Sequence, residues 1–124
     1  MLTFSVEPSE KRTLIRYHNL TARPPDSEGQ NVKVWTIRKT DLLRINLVEM
    51  SGELRLHSHP DAAHSLMLLE GRVKVLIGEE TAYLEKGDFI SIPAGVPHKY
   101  WSLTPKSMLV SMDAPYYRIT TPLE

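Results

Sequence analysis

The chain has 124 residues, fifteen Lys and Arg balanced by fifteen Asp and Glu, and no cysteine. This length makes one domain with a sizeable core, and the missing cysteines exclude disulfides, thiolate zinc sites and cysteine nucleophiles. A balanced charge gives no footprint for nucleic acid, and no run of about 18 apolar residues predicts a membrane span, so we expect a cytoplasmic protein without either partner.

The first thirty residues are the least patterned part of the chain. Residues 1–12 (MLTFSVEPSEKR) lack the long apolar run of a signal peptide. Residues 22–30 (ARPPDSEGQ) collect prolines, a serine and a glycine, which is typical of a loop. We therefore predict a partly irregular N-terminal segment over residues 1–30.

Residues 31–113 show the pattern of β-strands throughout. The segment 61–70 (DAAHSLMLLE) contains Ala and Leu, which favour helices, but it lies between turn signals in a chain with no other helical pattern, so we predict a strand there. No amphipathic helix of useful length is present. The nine predicted strands are NVKVWTIRK, LLRINLVEM, ELRLHSH, SLMLLE, RVKVLIG, TAYLE, FISIP, HKYWSL and KSMLVSMD.

Short strands separated by Gly and Pro turns at short intervals predict an all-β sandwich or barrel. We place this barrel at residues 31–113. Residues 114–124 (APYYRITTPLE) then form a C-terminal tail or an edge strand.

Three of the five histidines fall within eight residues, at positions 57, 59 and 64. Residues two apart on a strand point to the same face, roughly 6.5–7 Å apart, so His57 and His59 can bind one ion together. His64 follows a short turn and can return beside them on the next strand. His98 opens a later strand and can enter the barrel from the opposite side.

Two motifs in this region resemble those of the cupin superfamily. The first motif has a Gly, His-x-His, three or four residues, Glu, six residues and Gly, and this chain matches it from Gly52 through His57 and His59 to Gly71 with His64 in place of the Glu. The gap from Gly52 to His57 is one residue shorter than in the common form.

The second motif has a Gly, five residues, Pro-x-Gly, two residues, His, three residues and Asn. The match runs from Gly87 through the Pro93-Ala94-Gly95 turn to His98, with Ser102 in place of the Asn. The resemblance is close over residues 52–102 and looser over residues 31–113. It implies a double-stranded β-helix, or jelly-roll barrel, of the small RmlC-like type.

The resemblance also implies a metal site, because four of the five histidines occupy the four ligand positions. We predict that His57, His59, His64 and His98 hold one divalent ion of Fe, Mn, Ni or Zn. Replacing the Glu by His64 preserves ligation, since imidazole is itself a common ligand. The alternative is a metal-free barrel whose histidines serve packing.

Three further residues are candidates for substrate binding. Tyr100 and Ser102 share strand parity with His98 and are expected to point inward. Arg55 shares parity with His57 and could pair with a substrate carboxylate. For Tyr100 the alternative is a core aromatic, and for Arg55 it is a solvated side chain at the barrel mouth. No convincing catalytic base can be assigned.

These features predict a metal-dependent enzyme of the dioxygenase or isomerase type. Four neutral imidazoles leave the charge of the ion uncancelled, which favours a small anionic or chelating metabolite as ligand. The alternative is a non-catalytic binding or sensor protein, because a fold alone does not define an activity. Open sheet edges and the family resemblance predict a homodimer.

Overall fold

The computed structural model describes residues 14–57 and 63–114, except for the side chains of residues 55–57 and 63. One short helix precedes ten strands. In chain order they are α1 (Tyr17–Thr21), β1 (Ser27–Gly29), β2 (Val32–Lys39), β3 (Arg44–Met50), β4 (Glu53–His57), β5 (Ala63–Glu70), β6 (Val73–Ile77), β7 (Glu80–Leu84), β8 (Phe89–Ile92), β9 (His98–Ser102) and β10 (Ser107–Ala114).

The strands form two antiparallel sheets. The larger has the order β1-β2-β3-β10-β5-β8, and the smaller has the order β4-β9-β6-β7. Strands that are distant in sequence are therefore neighbours in space, as β3 and β10 are. This arrangement confirms the predicted all-β, double-stranded β-helix with almost no helix. Each of the nine predicted strands is present, including the one that begins at Ala63.

The main core lies on the apolar faces of both sheets. Alternation along each strand turns one face inward, as Val73 and Val75 of β6 show, both without solvent exposure. Partly buried Leu54, Ile77, Ala82, Ile90 and Val96 complete the packing. The buried members are Met50, Leu66, Leu68, Val73, Val75, Leu84, Ile92, Tyr100 and Leu109.

The other face of the larger sheet carries a second, smaller cluster. Trp35, Leu47 and Met108 are buried there, and Tyr17 and Leu20 of α1 pack against them. The Trp35 indole Nε1 donates a hydrogen bond to the Arg23 carbonyl oxygen at 2.9 Å, which satisfies a polar group that would be costly to bury alone. A helix of five residues thus covers part of the sheet.

Two features near the chain ends differ from, or extend beyond, the sequence predictions. The loop predicted over residues 22–30 contains a strand, because β1 forms within it and pairs with β2. Asn31 makes the tight turn between the two strands with a φ of 69°, a conformation that Asn tolerates better than most residues. The predicted C-terminal segment lies outside the described residues beyond Ala114.

None of the described helices has the length and apolar character of a membrane span.

Candidate metal centre and ligand cavity

The fold brings two of the predicted ligands together from opposite sheets. His64 lies near the start of β5 in the larger sheet, and His98 is the first residue of β9 in the smaller one. Their ring centroids are 5.4 Å apart, with ring planes inclined by 16°. His98 has no solvent exposure and His64 is 8% exposed. The jelly-roll topology thus places side by side two histidines that are far apart in the sequence.

The tautomer of His98 is fixed by the backbone. Its Nδ1 is 3.0 Å from the carbonyl oxygen of Val96. A carbonyl oxygen can only accept a hydrogen bond, so Nδ1 carries the proton. The lone pair of the neutral ring is then on Nε2, which is the form that binds a metal.

His64 is oriented in the same way by a carboxylate. Its Nδ1 donates a hydrogen bond to Oδ1 of Asp113, the residue in register with it on β10. Both side chains are largely buried, with 10% and 13% of their surface exposed. A carboxylate behind a histidine is a common means of fixing the orientation of a metal-binding imidazole.

The structure describes only part of the other two predicted ligands, His57 and His59. His57 ends β4, and its backbone is in register with that of His98, while its side chain and the whole of His59 lie outside the described residues. Among the residues that the structure does describe, no three His, Cys, Asp or Glu side chains group as a metal site. The described part therefore supplies two of the four predicted ligands.

The donor set that is present suits a transition metal. In both imidazoles Nδ1 is hydrogen-bonded to an oxygen atom, so Nε2 is the nitrogen that could bind a metal. Imidazole suits Fe, Ni, Cu and Zn alike. His64 and His98, with the nearby carboxylate of Asp113, thus fit the ion that the four-histidine pattern implies.

A cavity of about 180 Å³ extends from His64 into the barrel. Its polar wall is formed by His64, Asp113, Asn46, Ser111 and Tyr100. Its apolar wall is formed by Val32, Val34, Val48, Met50, Leu54, Leu66 and Leu109.

The side chain of Tyr100 points into the barrel, as its strand parity with His98 predicts. It is 4% exposed, its ring centroid is 5.4 Å from that of His98, and it lines the cavity. Burial, assisted by the negative charge of Asp113, raises the pKa of Tyr100 well above its usual range. The phenol is therefore neutral and is a hydrogen-bond donor rather than a base.

The register of β4 shifts beside Arg55, so strand alternation alone does not place its side chain. The register of β4 with β9 shifts between Leu54, which pairs with Tyr100, and His57, which pairs with His98. Arg55 and Leu56 thus lie opposite the single residue Lys99, which is a β-bulge and interrupts the alternation of inward and outward positions. Leu54 lines the cavity. The Arg55 side chain lies outside the described residues, and its role in substrate binding stays a prediction.

Ser102 lies at the far end of β9 from His98. Its hydroxyl donates a hydrogen bond to the Thr104 carbonyl oxygen at 2.8 Å and is 2.7 Å from the Ser107 hydroxyl. The Ser107 hydroxyl in turn donates to the Arg72 carbonyl oxygen at 3.3 Å. These contacts place Ser102 in a network that joins the ends of three strands, whereas the cavity lining is formed by other residues.

Sequence reasoning missed three polar residues of the cavity: Asn46, Ser111 and Asp113. Each follows the alternation of its strand and stands at an inward position, as Ser111 and Asp113 do after the buried Leu109. A polar residue at a core position was the available signal. It could not show that Asp113 contacts His64, because that contact depends on the pairing of β10 with β5.

Comparisons with known proteins agree with this architecture. The family model described as Cupin domain matches residues 46–112, more than half of the chain. A curated relative, quercetin 2,3-dioxygenase of Bacillus subtilis (strain 168), is 36% identical over 56 residues, which are 45% of this chain and 17% of the relative. The chain thus spans less than a fifth of the length of that protein.

Two solved structures share the fold. KdgF from Halomonas sp. superimposes with a TM-score of 0.71 at 16% identity, over 82% of this chain and 94% of that one. TT1209 from Thermus thermophilus gives a TM-score of 0.71 at 24% identity, over 85% and 99% of the two chains. The superpositions establish a common fold. At such low sequence identities they do not establish a common activity.

Proposed function

The chain belongs to the cupin family, and we propose that it is a metal-dependent enzyme of the dioxygenase or isomerase type acting on a small anionic or chelating metabolite. The observation that carries the proposal is the pair of imidazoles, His64 and His98. Both side chains are buried, and the Nδ1 atom of each is hydrogen-bonded to an oxygen atom. His64 also lines the cavity. The partial similarity to quercetin 2,3-dioxygenase supports the dioxygenase type.

The proposed ligands are His57, His59, His64 and His98. An ion held there would supply Lewis-acid chemistry, or dioxygen chemistry if it is iron. Asp113 and the Val96 carbonyl hold two of the imidazoles in the tautomer that such an ion requires. The apolar wall of the cavity would pack against the bound metabolite, and Tyr100 would donate a hydrogen bond to one of its oxygen atoms.

Elemental analysis tests the metal site directly. Untagged protein purified without added metal or chelator is expected to carry about one equivalent of Fe, Mn, Ni or Zn. His98→Ala and His59→Ala are expected to lose it. His18→Ala is the matched control, because His18 is an exposed residue of α1. Wild-type protein that takes up none of these ions, even after incubation with each, contradicts the proposal.

The metal that is found selects the activity assay. Iron calls for measurement of dioxygen uptake with chelating metabolites, and the other ions call for screens of isomerisation. A metal-loaded protein that binds such ligands tightly but converts none of them is instead a binding or sensor cupin. The absence of an assigned catalytic base among the described residues is the observation that favours this second function.

A further inference from the structure

The cavity wall changes from polar to apolar along two neighbouring strands. Along β10 the lining residues run from Asp113 through Ser111 to Leu109, and along β3 they run in the opposite chain direction from Asn46 to Val48. The register places Ser111 beside Asn46 and Leu109 beside Val48. Polar residues therefore stand beside polar ones, and apolar residues beside apolar ones.

The apolar end is continued by the next strand and by the opposite sheet. Val34 is in register with Val48, and Val32 is in register with Met50. Leu54 contributes from β4 in the smaller sheet. This end of the cavity is thus lined by branched and sulfur-containing apolar side chains from both sheets.

The polar end coincides with the candidate metal centre, because Asp113 is in register with His64. We propose that the cavity takes a small chelating molecule that has one uncharged, apolar ring or branched chain as its body and one or two oxygen atoms as its head. The head lies at the His64 end, and the apolar body lies against Val34, Val48 and Leu109. This inference rests on the proposed function only for the ion that the head would contact.

Size and charge narrow the ligand class. An apolar cavity of about 150 Å³ holds one benzene molecule, so a volume of about 180 Å³ accommodates a single ring with a small substituent. The described lining contains no Lys or Arg, and its one acidic residue is Asp113. An ionised group held against the apolar wall would lose part of its hydration without gaining a charged partner there, which is unfavourable.

Two probes with the same head distinguish this class of ligand from ligands that carry a charge on the body. 4-Methylcatechol and 3,4-dihydroxybenzoate share a catechol head and differ in carrying a methyl or a carboxylate on the ring. Dissociation constants are measured by calorimetry, without oxygen, on the zinc-loaded and the metal-free protein. We expect 4-methylcatechol to bind about tenfold more tightly or better in both forms. Equal affinities, a preference for the carboxylate, or no binding of either probe would overturn the inference.

A pair of variants tests the location of the apolar body. Val48→Thr adds a hydroxyl to the apolar wall at nearly constant volume and is expected to reduce the preference for 4-methylcatechol severalfold. Val110→Thr makes the same change on the other face of the larger sheet, in the cluster with Trp35, and is expected to leave the preference unchanged. Equal effects of the two variants would contradict the assignment.

The metal-free measurements separate this inference from the proposed function. If no ion binds but 4-methylcatechol is still preferred, the metal-dependent function fails and the cavity assignment stands. If the protein binds zinc and does not discriminate between the probes, the metal centre stands and the cavity assignment fails.

Discussion

Asp113 lies behind His64 on the neighbouring strand, and its Oδ1 accepts a hydrogen bond from Nδ1 of His64. The usual cupin motif has a glutamate where this chain has His64. In this chain the imidazole of His64 faces the candidate metal centre, and the carboxylate of Asp113 lies behind that imidazole on the neighbouring strand. If His64 binds the proposed ion, the pair keeps a negative charge close to the centre while the ligating atom is a nitrogen in place of an oxygen.

This relationship predicts that Asp113 is a positioning residue for metal binding. Asp113→Asn removes the negative charge that orients the His64 ring, and we expect zinc affinity to fall by about 10- to 100-fold. Competition with a chromogenic chelator measures the change. Ser111→Ala alters the same strand and cavity face but not the His64 contact, so it should retain affinity. An unchanged affinity of Asp113→Asn would show that the carboxylate plays no such part.

Tyr100 is predicted to bind the ligand through its hydroxyl. Tyr100→Phe keeps the ring beside His98 and removes the donor, so the affinity for 4-methylcatechol should fall by about 2- to 10-fold, the effect of one lost hydrogen bond. Calorimetry on the zinc-loaded variant measures it. Zinc content should stay that of the wild type, since Tyr100 is not among the proposed ligands. A variant with full ligand affinity would assign Tyr100 to the core alone.

The ion pair of Glu53 with Lys99, with Nζ 2.7 Å from Oε2, predicts a dependence of stability on pH. The hydrogen bond from Lys99 is the main cause that lowers the pKa of Glu53. A lowered pKa in the folded protein stabilises it above the unfolded pKa, and this contribution is lost as the pH falls through the folded value. Glu53→Gln should therefore lower the melting temperature slightly at pH 7 and have no effect near pH 2.

Thermal unfolding across this pH range measures the effect of Glu53→Gln. Glu80→Gln replaces another exposed glutamate of the same sheet and serves as the control. High salt should diminish the difference at pH 7, because the pair is near the surface. A difference that persists unchanged at pH 2 would assign the effect of Glu53 to packing rather than to charge.

Gly71 and Gly87 have nearly the same backbone φ angle but differ in the space available to a side chain, so substitutions at the two positions can be compared. Both have left-handed φ values, 93° and 91°. A Cβ on Gly71 would lie 2.4 Å from Ser107 Oγ and 2.9 Å from Ser107 Cα, whereas a Cβ on Gly87 would meet no atom within 4 Å. Gly87→Ala should thus cost about 1–2 kcal/mol in free energy of unfolding, from the conformation alone.

Gly71→Ala adds the clash with Ser107 and should cost about 1–3 kcal/mol more than Gly87→Ala. Chemical denaturation measures both values. Ser107→Ala in the Gly71→Ala background removes the nearest hydroxyl and should recover part of the loss. Equal destabilisation by the two glycine substitutions would mean that the network around Ser107 adjusts to the added methyl group without cost.

Local pattern alone predicted most of the fold, for a physical reason. Alternating side chains and the turn residues between them depend on neighbours within a few positions, so the nine strands were identified correctly, including β5 against its helical composition. β1 was missed because three exposed residues, Ser27 to Gly29, have no apolar alternation. Spacing also predicted that His64 and His98 share one site, and the structure places their rings together.

The sequence by itself determined nine of the ten described strands, the family motifs and the histidines at the positions where those motifs have metal ligands. Tertiary structure alone decided which partners those residues have. The register of β4 with β9 shifts beside Arg55, the Ser102 hydroxyl is hydrogen-bonded within the network around Ser107, and the pairing of β10 with β5 puts Asp113 behind His64. Register between strands distant in sequence is set by packing of the whole barrel, which no local pattern encodes.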